Sequence, residues 1–131
     1  MNNSVRKNIL LWLPFAAISG VIFFLSSQSH LPIPGIFEFA NADKVAHVCV
    51  FSSLGAAAAY ALLMNQSTSL IRVLLAVSLT VFYGMLDEAH QYFVPGREVS
   101  LGDLCADLVG GIVGVSAWLF VRKKAAGQKA I

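Results

Sequence analysis

The sequence predicts an all-α protein, a four-helix transmembrane bundle in a single domain spanning 1–131, with both termini in the cytoplasm. Three observations predict it. First, 57% of the 131 residues are hydrophobic and only 12% charged, against roughly 25% charged in soluble domains, so the chain cannot clothe a globular surface with solvated side chains. Second, its apolar residues fall into four stretches, at about 9–25, 45–64, 70–92 and 104–121. Each is close to the ~20 helical residues that cross a hydrocarbon core, and runs of that length exclude the alternating strands of a barrel. Third, the basic residues near the span ends are distributed unevenly. Arg6 and Lys7 precede the first span, Arg72 lies between the second and third, and Arg122, Lys123, Lys124 and Lys129 crowd the tail. The other two connections hold only Lys44 and Arg97. The positive-inside rule then places the termini and the Arg72 connection in the cytoplasm.

The first stretch has the basic lead and small following residues of a signal peptide. Its apolar run is longer than a signal-peptide core, and three more spans follow, so it is read as a retained helix. The two connections on the outer side, "SSQSHLPIPGIFEFANADK" and "FVPGREVSLGD", carry the unusual polar residues. The expected location is therefore the cytoplasmic membrane, multi-pass, with the active face outward.

The letters DEAH in "LDEAHQY" spell a helicase box. A helicase also needs a Gly-rich phosphate loop with its Lys and Ser/Thr, and this chain has none. Neither a nucleotide nor a nucleic acid is an expected partner.

Polar residues at helical spacing mark three span ends. Asp43 and His47 are one turn apart at the start of the second span, Asp87 and Gln91 near the end of the third, and Asp103 and Asp107 at the start of the fourth. Asp43 and Asp103 fit helix caps. His47 points into the span, where a satisfied structural histidine and a functional one are both open. Asp87 lies fifteen residues past Arg72, about 22 Å along a helix, which buries it one to two turns below the outer boundary. A charge near mid-span costs on the order of 2.5–3.5 kcal/mol by insertion scales, and such residues usually face a bundle interior or wet cavity. Asp87 and Asp107 are expected to face each other or to share His47, Gln91 or Arg97. Like charges in a desolvated site cannot both ionise cheaply without a cation between them. Arg97, after the Pro95–Gly96 turn, could neutralise these acids or grip a phosphate or carboxylate with its planar fork.

Small residues show where helices approach. Gly110, Gly111 and Gly114 contain a GxxxG step, matched by Gly55 and Ala59 on the second span and supported by the alanine block 56–59. Trp12 and Trp118 fit anchors at the cytoplasmic headgroup level. Cys49 and Cys105 are expected as two buried thiols rather than a disulfide. Their spacing with His and Asp is no recognised ligand signature. No metal ligand is assigned and no cofactor is expected, although a divalent metal is not excluded.

The segments "NADKVAHVCVFSSLG" and "GMLDEAHQYFVPGREVSLGDLCADLVGGIVG", with "FFLSSQS" ending the first span, resemble the VanZ-like family of small bacterial membrane proteins. The match lies in a DKxxH element, a DExxQ element followed by a PGR turn, and an SxxD element leading into a Gly-rich helix. The resemblance implies Asp43, Lys44, His47, Asp87, Glu88, Gln91, Arg97, Ser100, Asp103 and Asp107 as site residues, with His90 incidental. The family's name comes from resistance to teicoplanin, a glycopeptide that binds cell-wall precursors outside the membrane, which agrees with an outward site.

Three functions follow as expectations. One is binding or handling of an anionic membrane lipid or cell-envelope precursor, with Arg97, Lys44 and His47 meeting the headgroup and the acids orienting those bases. Another is an intramembrane hydrolase or transferase acting on such a lipid, with Asp87 or Glu88 as general base, His47 as proton shuttle and Arg97 as electrostatic clamp. No activated Ser or Cys nucleophile is evident, which weighs toward binding. In the remaining case the polar cluster only fixes helix register. A homo-oligomer is open in all three.

Overall fold

A computed structural model describes residues 3–29 and 40–128. Residues 30–39 of the first outer connection, and Lys129 of the basic tail, lie outside the described residues. The chain forms helices α1 (Asn3–Leu10), α2 (Leu13–Ser26), α3 (Ala42–Leu63), α4 (Leu70–Gln91) and α5 (Leu101–Gln128), with no strand among the described residues. Four segments are long and apolar enough to cross a membrane: Val5–Ser26, Ala42–Leu63, Leu70–Gln91 and Leu101–Gln128.

The first segment is broken where α1 meets α2. Pro14 has no N–H to give the Leu10 carbonyl, and the N–H groups of Leu11 and Trp12 turn back to Asn8 and Ile9 at 3.2 and 3.0 Å. The other three run without interruption. Wide apolar faces, including Phe23 and Phe24 on α2, Leu74 and Leu75 on α4 and Ile112 and Val113 on α5, are exposed on the chain's outside. In a bilayer these are the lipid-facing surfaces.

The core forms where α3 meets its neighbours. Leu54, Ala58, Ala59, Leu63 and Ala76 are fully buried, and Phe51 and Val115 nearly so. Helices α3 and α5 make the closest pair because glycine lets one backbone lie on the other. A Cβ at Gly110 would stand 2.7 Å from the Val48 carbonyl oxygen, one at Gly55 would stand 2.6 Å from that of Gly111, and one at Gly114 would overlap the Ser52 carbonyl. The glycine steps therefore close the monomer, as the sequence pattern implies.

Up-and-down topology collects the helix ends in two sets. At one end, Arg122 donates to the Leu63 and Gln66 carbonyls at 2.6 and 2.8 Å, which ties α5 to the end of α3 and to the connection after it. Its guanidinium also lies 5.3 Å from the Trp118 ring centroid, so this indole is tied to a cation as well as suited to an interface. At the other end meet the close of α2, the start of α3, the close of α4 and the start of α5.

Two expected caps are corrected there. Residue Asn41, in a left-handed conformation (φ 64°), precedes α3 and makes no side-chain cap bond. Asp43 sits inside the first turn, where its charge still favours the helix start. For α5 the cap is Ser100, whose Oγ accepts the Gly102 and Asp103 N–H groups at 3.1 and 3.4 Å. Asp103 is thereby left free for another partner. The cysteines are also corrected: Cys49 and Cys105 are free and exposed. Each is two residues from a polar inward position, His47 on α3 and Asp103 and Asp107 on α5, and two residues is more than half a helical turn. Helical phase turns both thiols toward the lipid side.

Candidate functional site

The second set of helix ends holds all ten residues singled out from the sequence. The start of α3 presents Asp43 and Lys44 in its first turn and His47 in the next. Lys44 Nζ reaches Asp43 Oδ2 at 2.7 Å and Asp103 Oδ1 on α5 at 2.5 Å. Its aliphatic stem lies over Gly102, where a Cβ would come within 2.9 Å of Cε. One turn deeper, His47 Nδ1 is 2.8 Å from Oδ1 of the fully buried Asp107, and its ring stacks on Phe51 at 6.0 Å between centroids. An ionised carboxylate can only accept, so this bond puts a proton on Nδ1, and in the neutral imidazole the lone pair is then on Nε2.

The close of α4 supplies Asp87, Glu88 and Gln91, all buried. Asp87 accepts from Ser26 Oγ of α2 at 2.5 Å and from Gln91 Nε2 at 2.8 Å. Glu88 Oε2 accepts the Ser100 N–H at 2.8 Å, which fixes the strand of chain leading into α5. Two of the buried oxygens without a hydrogen-bond partner among the described residues belong to this site: Glu88 Oε1 and Asp107 Oδ2. Asp107 reaches this depth because α4 has Gly84 opposite it. A Cβ there would stand 2.6 Å from Asp107 Oδ2.

Arg97 departs from one of its two expected roles, the neutralising of the acids. The Pro95–Gly96 turn forms as predicted, with Gly96 at φ 83° and Arg97 N–H donating to the Val94 carbonyl at 3.1 Å, the pattern of a type II turn. The guanidinium does not reach the acids. Its Nε and Nη2 donate to the Gln28 and Leu25 carbonyls, each at 3.0 Å. Carbonyls at the end of a helix lack intrahelical donors and attract cations, and this local demand captures Arg97. It latches the α4–α5 connection to α2, while Lys44 is the cation that contacts carboxylates. Asp87 and Asp107 likewise share no partner: one takes Ser26 and Gln91, the other His47.

Between these groups lies a cavity of about 150 Å³. Ser26, Asp43, His47, Asp87, Gln91 and Arg97 give it a polar side, and Ile22, Leu25, Val50 and Phe51 an apolar one. Lys44, Glu88, Ser100, Asp103 and Asp107 stand behind the polar side and hold it in place. The sequence reading missed Ser26 as a site residue. Its signal was present in "FFLSSQS", a pair of hydroxyls closing an otherwise apolar span. His90 is outside the cavity, with Nε2 3.0 Å from Ser27 Oγ and its ring 4.5 Å from that of Phe23. It joins α4 to α2 and takes no part in the cluster.

A family model described as VanZ/LLP1 matches residues 1–122. The chain belongs to the VanZ/LLP1 family. The matched region contains every residue of the cavity and of the network behind it, together with the Gly110–Gly114 step that brings α5 against α3. Comparison with curated proteins and with solved structures finds no match. For this VanZ-family protein the chemistry of the site must therefore be read from its own geometry.

Proposed function

We propose that this VanZ-family protein binds an anionic membrane lipid or lipid-linked cell-envelope precursor at the outer face of the cytoplasmic membrane. The observation that supports this reading is the two-sided cavity. Its apolar side, from α2 and α3, suits the start of an acyl or isoprenoid chain, and its polar side offers donors from Gln91 and Arg97 to a headgroup. Ligand sites commonly combine apolar walls with a few polar groups that fix orientation. The outward assignment follows from the opposite end of the bundle, where Arg6, Lys7, Arg72, Arg122, Lys123 and Lys124 gather. Handling of an envelope precursor on that side would connect the protein to tolerance of teicoplanin.

Ala46 lines the same cavity and has no polar side-chain atom in the charged network. Ala46→Phe should fill it and leave the ion pairs intact. Native mass spectrometry of wild type released from mild detergent should show one retained lipid class, reduced at least tenfold in this variant at an unchanged melting temperature. Equal lipid on both proteins would remove the cavity from the account.

A second reading, an intramembrane hydrolase or transferase acting on that lipid, is favoured by the His47–Asp107 pair. A carboxylate that fixes the imidazole tautomer is how many general bases are oriented. Turnover of the retained lipid on incubation would support it, with Asp107→Asn lowering the rate at unchanged lipid retention.

A further inference from the structure

We propose that His47, Glu88 and Asp103 hold a divalent metal ion of the zinc or manganese class. They come from three helices, α3, α4 and α5, and one ligand atom from each lies within 4.8 Å of the others. No spacing in the sequence announces the group, because its members are 41 and 15 residues apart and are joined only by the packing of the bundle.

Four features of the surroundings match a metal site. Glu88 is 6% exposed, and its Oε1 is buried without a partner while Oε2 is held by the Ser100 N–H. A buried carboxylate oxygen left unpaired costs more than a hydrogen bond returns, and a cation is the partner that fits it. His47 gives Nδ1 to Asp107 and keeps the Nε2 lone pair, the carboxylate–histidine arrangement by which ligating imidazoles are commonly oriented. Asp103 gives Oδ1 to Lys44, which leaves Oδ2 for a metal. Finally, Asp43 and Asp103 already share one ammonium, Lys44, and Glu88 and Asp107 have no lysine or arginine partner among the described residues, in a segment where uncompensated charge is expensive.

Donor chemistry narrows the ion. One imidazole nitrogen with two carboxylates suits zinc or manganese better than calcium or magnesium, which prefer all-oxygen shells. Three protein ligands also leave a coordination position open. The site stands whether or not the lipid reading holds. If both hold, the ion supplies the positive charge that an acid-rich cavity needs to accept a phosphate.

The test uses the full-length protein in mild detergent, stripped with chelator and dialysed against Zn²⁺ or Mn²⁺. Elemental analysis should find close to one ion per chain, and the melting temperature should rise on reloading. His47→Ala and Glu88→Gln should each fall to background, Asp107→Asn should bind about 10- to 100-fold more weakly, and the Cys49→Ser/Cys105→Ser double variant should match wild type. The Mn²⁺-loaded wild type should show electron-spin-echo modulation from one imidazole nitrogen, a readout independent of whether any variant folds. Absence of stoichiometric metal in wild type, absence of that nitrogen signal, or full loading of the folded His47→Ala variant would each overturn the proposal.

Discussion

Gly114→Val should unfold the bundle or lower its melting temperature further than any other single substitution on α5. A side chain at this position meets the Ser52 carbonyl and the Ala56 nitrogen of α3, which are backbone atoms that no rotamer change can move aside. Overpacking typically costs ~1–3 kcal/mol when side chains can yield, so the upper end or beyond is expected here. The helices would have to part along the seam that also positions Asp103 and Asp107 against α3 and α4. Gly20→Val is the control, since nothing lies within 4 Å of a Cβ there. Melting curves and gel filtration in the same detergent should separate the two. A Gly114→Val protein with wild-type stability would mean that α3 and α5 do not pack as described.

The second large effect separates structure from function at the His47–Asp107 pair. His47→Phe leaves a fully buried carboxylate without its partner, and breaking a buried pair from one side commonly costs about 3–5 kcal/mol. Combining it with Asp107→Leu replaces the carboxylate by a side chain of the same branched shape. Such apolar replacement of a buried pair is often neutral or stabilising. The double variant should therefore recover much of the stability that the single variant loses, as read by thermal melting. It should recover neither lipid retention nor metal loading. Recovery of all three would reduce the cluster to a device for helix register.

These two experiments address parts of the molecule that differed in how openly the sequence displayed them. The spans were legible because length and apolar content are local properties, and the glycine seam was legible because residues three and four apart share a face. The break at Pro14 rests on an equally local cue, a missing N–H, although the first span reads as one apolar run. Polar pairs at three span ends pointed to one mouth of the bundle for the same reason. What stayed hidden depends on direction and partner. Asp43 and Asp103 fit caps by sequence because Asp caps well, but Asn41 and Ser100 occupy those positions and free Asp103 for Lys44. The turn before Arg97 is legible in its Pro-Gly pair, yet a turn does not say which way a guanidinium points, and the carbonyls closing α2 compete for it. Cys49 and Cys105 lie in apolar sequence, and only the helical phase relative to His47 and Asp107 shows that they face outward. The grouping of His47, Glu88 and Asp103 belongs to tertiary packing alone.

The lipid-binding account is tested most directly by photo-crosslinking in intact cells, with a benzophenone amino acid placed at Ala46 in the cavity or at Leu74 on the outer face of α4. The account predicts that position 46 captures a single anionic or isoprenoid-linked lipid while position 74 captures the bulk membrane mixture. Capture of the same bulk mixture at both positions would contradict it.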